Sequence, residues 1–129
     1  MKYNSLIPEL TVKDIERTKK FYIDFLNFKL EYERIEDKFV FLSFENNQVM
    51  FEQDNGCWYV GDLEYPYGRG VNFEMTVSDV ESLYKRVLDS GIKPFREITV
   101  NHYRCGDEII VQKEFLITDP DGYLLRFTD

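Results

Sequence analysis

Residues 9–24 (ELTVKDIERTKKFYID) and residues 74–89 (EMTVSDVESLYKRVLD) align without a gap at a constant spacing of 65. Glu9, Thr11, Val12, Asp14, Glu16, Lys20 and Asp24 return as Glu74, Thr76, Val77, Asp79, Glu81, Lys85 and Asp89, seven identities in sixteen positions. A duplication limits the fold more tightly than any other feature of the chain. Each copy has to form the same elements in the same order and leave the same apolar face to be covered. The match resumes after a one-residue slip, where Asn27-Phe28-Lys29 answers Gly91-Ile92-Lys93.

Each copy opens with a short apolar strand, Leu6 to Val12 in the first and Val71 to Val77 in the second, flanked by polar or turn residues. A helix follows. Ile15, Thr18, Phe21, Tyr22, Phe25 and Leu26 fall on one helical face, as do Val80, Leu83, Tyr84, Val87 and Leu88. Asp14 and Asp79 stand where an N-cap acceptor is wanted, Ser78 with Glu81 offers a capping box instead, and Gly91 is a stop signal. Three strands then follow in each copy: Lys29–Arg34, Phe39–Phe44 and Gln48–Gln53, then Lys93–Ile98, Lys113–Thr118 and Tyr123–Thr128. Glu45-Asn46-Asn47 and Asp119-Pro120-Asp121-Gly122 supply the hairpin turns. Phe41-Leu42 answers Phe115-Leu116 at a spacing of 74, which places about nine extra residues in Val100 to Gln112. The expected architecture is α+β. Two tandem βαβββ repeats, about 5–53 and 71–129, are joined by a crossover loop over 54–70 within a single domain covering 1–129. Together they make a curved eight-stranded mixed sheet with helices on the outside and a concave cleft within.

Sixteen basic residues face 24 acidic ones, a net charge of -8. Nucleic acid is therefore not an expected partner, because its binding needs lysine and arginine to displace phosphate counterions. No apolar run approaches the roughly 20 residues of a membrane span. The start, MKYNSLIPEL, has no apolar stretch followed by a small-residue cleavage site, so no membrane association and a cytoplasmic location are expected. Cys57 and Cys105 are too few for a disulfide framework and read as reduced thiols. His102 is the single histidine, so no Ser-His-Asp or Cys-His catalytic arrangement can be built.

Val12-Lys13-Asp14, Phe21-Tyr22, Leu26-Asn27-Phe28, Val77-Ser78-Asp79 and Asp119-Pro120-Asp121-Gly122-Tyr123, in that order on a duplicated frame, resemble the vicinal oxygen chelate superfamily. That superfamily contains glyoxalase I, extradiol dioxygenases, and fosfomycin and bleomycin resistance proteins. The resemblance covers nearly the whole chain. It implies a site at four positions, two on the first strand and two on the last strand of the repeats. Carried onto this sequence they are Ile7, Asn72, Glu52 and Arg126.

A divalent metal needs three or four imidazole or carboxylate ligands. Only Glu52 of the four qualifies, and Arg126 brings a positive charge of its own. No metal and no cofactor are expected, and Glu52 is expected to pair with Arg126. The resemblance then points to the bleomycin resistance group, which has the fold without the metal and holds cationic, ring-bearing drugs in grooves shared by two subunits. Phe39, Phe41, Phe51, Trp58, Tyr59 and Tyr103 supply aromatic surface for such a ligand, beside Glu52, Asn72 and Arg126. The expected function is non-catalytic sequestration of a cationic aromatic drug by a homodimer. A metal-dependent glyoxalase or dioxygenase-like enzyme, and a binder of an unrelated metabolite, are the alternatives.

Overall fold

The computed structural model describes all of residues 1–129. They form two compact units, Met1–Tyr67 and Gly68–Asp129. The first contains β1 (Glu9–Val12), α1 (Ile15–Lys19), a π-helical turn (Lys20–Phe25), β2 (Lys29–Arg34), β3 (Phe39–Phe44) and β4 (Asn47–Gln53). The second contains β5 (Asn72–Thr76), α2 (Val80–Asp89), β6 (Arg96–Cys105), β7 (Glu108–Thr118) and β8 (Leu124–Thr128). The eight strands make two four-stranded mixed sheets of identical order, β1-β4-β3-β2 and β5-β8-β7-β6, each with one parallel pair. No helix is long and apolar enough to cross a membrane.

Both helices start on the repeated aspartate. Asp14 Oδ1 accepts from the backbone N–H groups of Glu16 at 3.0 Å and Arg17 at 3.3 Å. Asp79 Oδ1 accepts from Ser82 N–H at 3.0 Å, so the aspartate caps α2 and the capping box is not needed. The one-residue slip in the repeat has a physical form. In the first unit the helix closes through the π-helical turn, with Leu26 N–H donating to Phe21 O and Phe28 N–H to Tyr22 O. In the second, Ile92 N–H reaches back only to Val87 O. A π turn absorbs one extra residue without breaking the helix. Both helices leave through a left-handed residue, Asn27 (φ 68°) and Gly91 (φ 81°), as expected of a glycine or asparagine stop.

One face of each sheet is covered by its helix. Tyr22 is fully buried against Phe51, ring centroids 4.5 Å apart, with Phe28 at 5.3 Å. On α2, Val80, Leu83 and Val87 are buried and Tyr84 packs on Phe115 at 5.0 Å, while Leu88 turns out to solvent. Each fully buried side chain of this size contributes about 1.5–3 kcal/mol.

The extra residues of the second repeat do not form a loop. They lengthen β6 and β7 into a paired ribbon, in register from Thr99↔Glu114 to Cys105↔Glu108, with Gly106 at the tip. Val100, Ile109, Ile110 and Val111 on it are exposed.

The strand registers also correct the spacing of the last two strands. Leu30 pairs with Leu42 and Arg34 with Phe39, while Thr99 pairs with Glu114 and Arg96 with Leu116. β2 and β6 therefore correspond at 65, Arg34 to Thr99, and β3 and β7 at 75, Phe39 to Glu114. Glu9 pairs with Met50 and Glu74 with Arg126, so β4 and β8 correspond at 76, Met50 to Arg126. The spacing of 74 fails because Phe41 and Phe115 lie on opposite faces of their sheets. Ten extra residues sit in the ribbon and one in the turn before β8.

Candidate functional site

Residues directly opposite on neighbouring strands share a face. In the first unit the helix-free face therefore carries Glu9 and Thr11 from β1, Met50 and Glu52 from β4, Phe39 and Phe41 from β3, and Tyr32 and Arg34 from β2. Phe39 and Phe41 are 2% and 1% exposed. Tyr32 stacks on Phe41 at 5.2 Å, Tyr3 meets it edge-on at 5.5 Å, and the Arg34 guanidinium lies 3.9 Å from the Phe39 ring centre. The two phenylalanines expected to touch a ligand thus lie beneath Tyr3, Tyr32 and Arg34, which form the accessible layer. Phe51 is a correction. It pairs with Val40 and Leu10, faces the helix and is fully buried, so it belongs to the core.

Glu52 is half-buried and accepts a short hydrogen bond from Asn55 Nδ2. This bond begins a tightly turned segment. Asp54 Oδ1 accepts from Gly56 N–H at 3.0 Å and from Tyr59 OH at 2.9 Å, and Asn55 Oδ1 accepts from Cys57 N–H at 2.9 Å. The turns hold Tyr59 by its hydroxyl and present Trp58 outward at 64% exposure. Glu9 adds a second carboxylate, pushed above its usual range by burial and by the charge of Glu52, with Arg34 acting the other way. A cavity of about 340 Å³ in this unit lies at the start of α1, where the Lys19–Glu33 ion pair (2.9 Å) and Arg34 line it.

In the second unit the helix-free face carries Asn72 and Glu74 from β5, Arg126 from β8, Glu114 and Leu116 from β7, and Asn101 and Tyr103 from β6. Asn72 is exposed at the start of β5. Glu114 is 5% exposed. Its Oε1 accepts from Asn101 Nδ2 at 3.0 Å and takes a short bond from the Tyr103 hydroxyl. That bond is the main reason the Tyr103 phenol is held above its usual range, with Arg126 opposing. The Arg126 guanidinium lies 3.9 Å from Glu114 Oε2 and 3.9 Å from Glu74 Oε2, so the carboxylate partners the structure gives it are on its own sheet. Sequence reasoning missed Glu9, Glu74, Glu114, Tyr3 and Tyr32. Glu9 and Glu74 were visible as the first identity of the repeat, and Glu114 as a charge leading an apolar strand.

The implied metal positions change with the register. The counterpart of Arg126 is Met50, and Glu52 corresponds to Thr128. Ile7, Met50, Asn72 and Arg126 offer no imidazole and no carboxylate, and a guanidinium occupies one of the four. These residues do not fit a divalent metal. No three His, Cys, Asp or Glu side chains gather into a group able to hold one.

A sequence profile of the glyoxalase/bleomycin resistance protein/dioxygenase superfamily matches residues 5–127. A superfamily member from Vibrio splendidus 12B01 is 36% identical, with 93% of each chain covered and a TM-score of 0.44. TioX from Micromonospora sp. ML1 is 18% identical over 98% of each chain with a TM-score of 0.72. Virulence protein STM3117 from Salmonella typhimurium is 20% identical over 99% of this chain and 98% of its own, with a TM-score of 0.70. No curated protein matches.

Proposed function

The chain belongs to the glyoxalase/bleomycin resistance protein/dioxygenase superfamily, and from that premise we propose that it binds, without chemical conversion, a cationic ring-bearing small molecule of the bleomycin class. The observation that carries this reading is Arg126. A guanidinium stands at a position where the superfamily's metalloenzymes hold a metal ligand, and the other three such positions, Ile7, Met50 and Asn72, offer neither imidazole nor carboxylate. Those four positions do not fit a divalent metal, and what the helix-free faces offer a ligand is ring surface and charge. Tyr3 and Tyr32 offer rings for stacking, and Glu9 and Glu52 offer negative charge on the same face of the sheet as Tyr32. Trp58, displayed at 64% exposure on a hydrogen-bonded turn, adds a large flat surface.

The working unit in this reading is a homodimer, and the exposed apolar ribbon gives a second copy something to cover. Trp58 is the single tryptophan, so its fluorescence reports on its own surroundings alone. Titration with metal-free bleomycin is expected to give a saturable change that weakens as salt rises from about 0.05 to 0.5 M, because exposed charge attraction is screened. No change at saturating drug sinks the drug reading.

A further inference from the structure

The duplication repeats a cavity as well as a fold. In the second unit a cavity of about 260 Å³ is lined by Glu81, Tyr84, Ile98, Thr99, Val100 and Lys113, from α2, β6 and β7. At a spacing of 65 for the helices and β2/β6, and of 75 for β3/β7, these residues answer Glu16, Lys19, Glu33, Arg34, Ile35 and Lys38. All of those line the cavity of about 340 Å³ at the start of α1. The two cavities use their charges differently. In the second, the Lys113 ammonium donates to the Glu81 carboxylate beside the apolar Tyr84, Ile98 and Val100. In the first, Lys19 and Glu33 stand where Tyr84 and Ile98 stand, and Lys19 draws both Glu33 (2.9 Å) and Glu16 (3.7 Å) to itself. Asp37 goes to Arg34 at 3.1 Å, and no carboxylate is left to Lys38, which is exposed on the cavity wall.

We propose that the first cavity binds a small monocarboxylate with an apolar body, its carboxylate held by Lys38 as Glu81 is held by Lys113 in the second unit. The site is separate from the one read for a cationic drug. The second repeat shows what its lysine takes at this place, and the first repeat has given the equivalent glutamate to Lys19. Arg34 adds a second positive charge to the cavity. Its Nε donates to Asp37 and its guanidinium lies 3.9 Å from the Phe39 ring centre, which leaves its terminal nitrogens to a ligand. Three carboxylates also line the cavity, and each is engaged. Asp14 accepts from the N–H groups of Glu16 and Arg17, and Glu16 and Glu33 face Lys19. Their charge tolerates one negative charge at Lys38 and opposes a dianion. Ile35, 77% exposed on the same wall, is the apolar surface for the ligand's body to cover. The volume suits a small molecule, since ligand pockets run from about 300 to 1,000 Å³.

The test titrates benzoate, its neutral counterpart benzamide, and inorganic phosphate into the unaltered chain and follows backbone amide resonances. Benzoate is expected to shift the resonances of Ile35 to Lys38 and to bind about tenfold more tightly than benzamide or phosphate, the scale of one hydrogen bond to a charged group. Lys38→Met is expected to lower benzoate affinity about tenfold and Lys38→Arg to retain it. Lys113→Met is expected to leave it unchanged, because that lysine already holds Glu81. Shifts that avoid Ile35 to Lys38, benzamide or phosphate binding as tightly as benzoate, undiminished affinity in Lys38→Met, or an equal loss in Lys113→Met overturns the proposal. The probe comparison needs no variant, so a variant that folds poorly does not shield it. Benzoate binding at Lys38 by a chain that ignores bleomycin supports this site and removes the drug reading alone.

Discussion

Truncating Phe51 to alanine separates core from ligand surface. Phe51 is fully buried, its ring 4.5 Å from that of Tyr22, and its strand neighbours Val40 and Leu10 are buried with it. It sits between a four-stranded sheet and the π-helical turn, both fixed by backbone hydrogen bonds, so the space it leaves has little room to collapse. Phe→Ala at such sites costs about 3–5 kcal/mol, the lost transfer energy plus the cavity. That is a large part of the roughly 5–15 kcal/mol that holds a domain folded. At about 3–5 °C per kcal/mol for a chain of this size, the midpoint should fall by roughly 10–20 °C. Trp58→Ala is the control. Its side chain is mostly in water, and the expected change is within about 0.5 kcal/mol. Urea denaturation followed by far-ultraviolet circular dichroism measures both without relying on tryptophan emission. A loss below about 1 kcal/mol for Phe51→Ala, or above about 2 kcal/mol for Trp58→Ala, would refute the division drawn between the two faces.

Asp14→Ala and Asp79→Ala should each cost about 1 kcal/mol by chemical denaturation, since each leaves backbone N–H groups at a helix start without an acceptor. Glu9→Gln should stabilise the protein at neutral pH. The folded pKa of Glu9 is raised above its ordinary 4.5, so the folded state holds the proton more tightly than the unfolded chain does. Stability from this group is present below pH 4.5 and falls as pH rises through the folded pKa. Midpoints measured across pH 4–7 should decline less in Glu9→Gln than in the parent, and an unchanged slope would contradict the assignment. Light scattering at micromolar concentration is expected to give the mass of two chains, and a monomer would count against the shared groove.

The sequence carried the fold almost completely because the repeat constrains each element twice. Asp14 and Asp79 marked both helix starts, Asp119 to Gly122 marked a turn, and the slip at Asn27 and Gly91 marked an inserted residue that the π turn takes up. The site was less legible. Its register hung on Phe41 and Phe115, two like residues at like places that face opposite ways. The spacing of 74 is one residue short for β3 and β7 and two short for β4 and β8, so it matches Glu52 to Arg126 where the pairing of β1 with β4 selects Met50, two residues away on the same face. Phe51 adjoins Glu52 on one strand, so the two side chains take opposite faces, and Phe51 takes the helix side. Glu114 was hidden for another reason. Its counterpart is Phe39, and a carboxylate is tolerable there because Asn101 and Tyr103 of the ribbon donate to it and the Arg126 guanidinium lies 3.9 Å away. The ribbon itself read as an insertion, because its exposed apolar residues lack the alternation of a half-buried strand.

The central claim is that the four positions of the superfamily's metal ligands, with a guanidinium at one of them, do not fit a divalent metal. Equilibrium dialysis against micromolar zinc, nickel, manganese and ferrous iron, followed by elemental analysis, tests it most directly. The account predicts well under one equivalent of any of these metals, unchanged in Glu74→Ala and Glu114→Ala. One tightly held equivalent that disappears when either carboxylate is removed would contradict it.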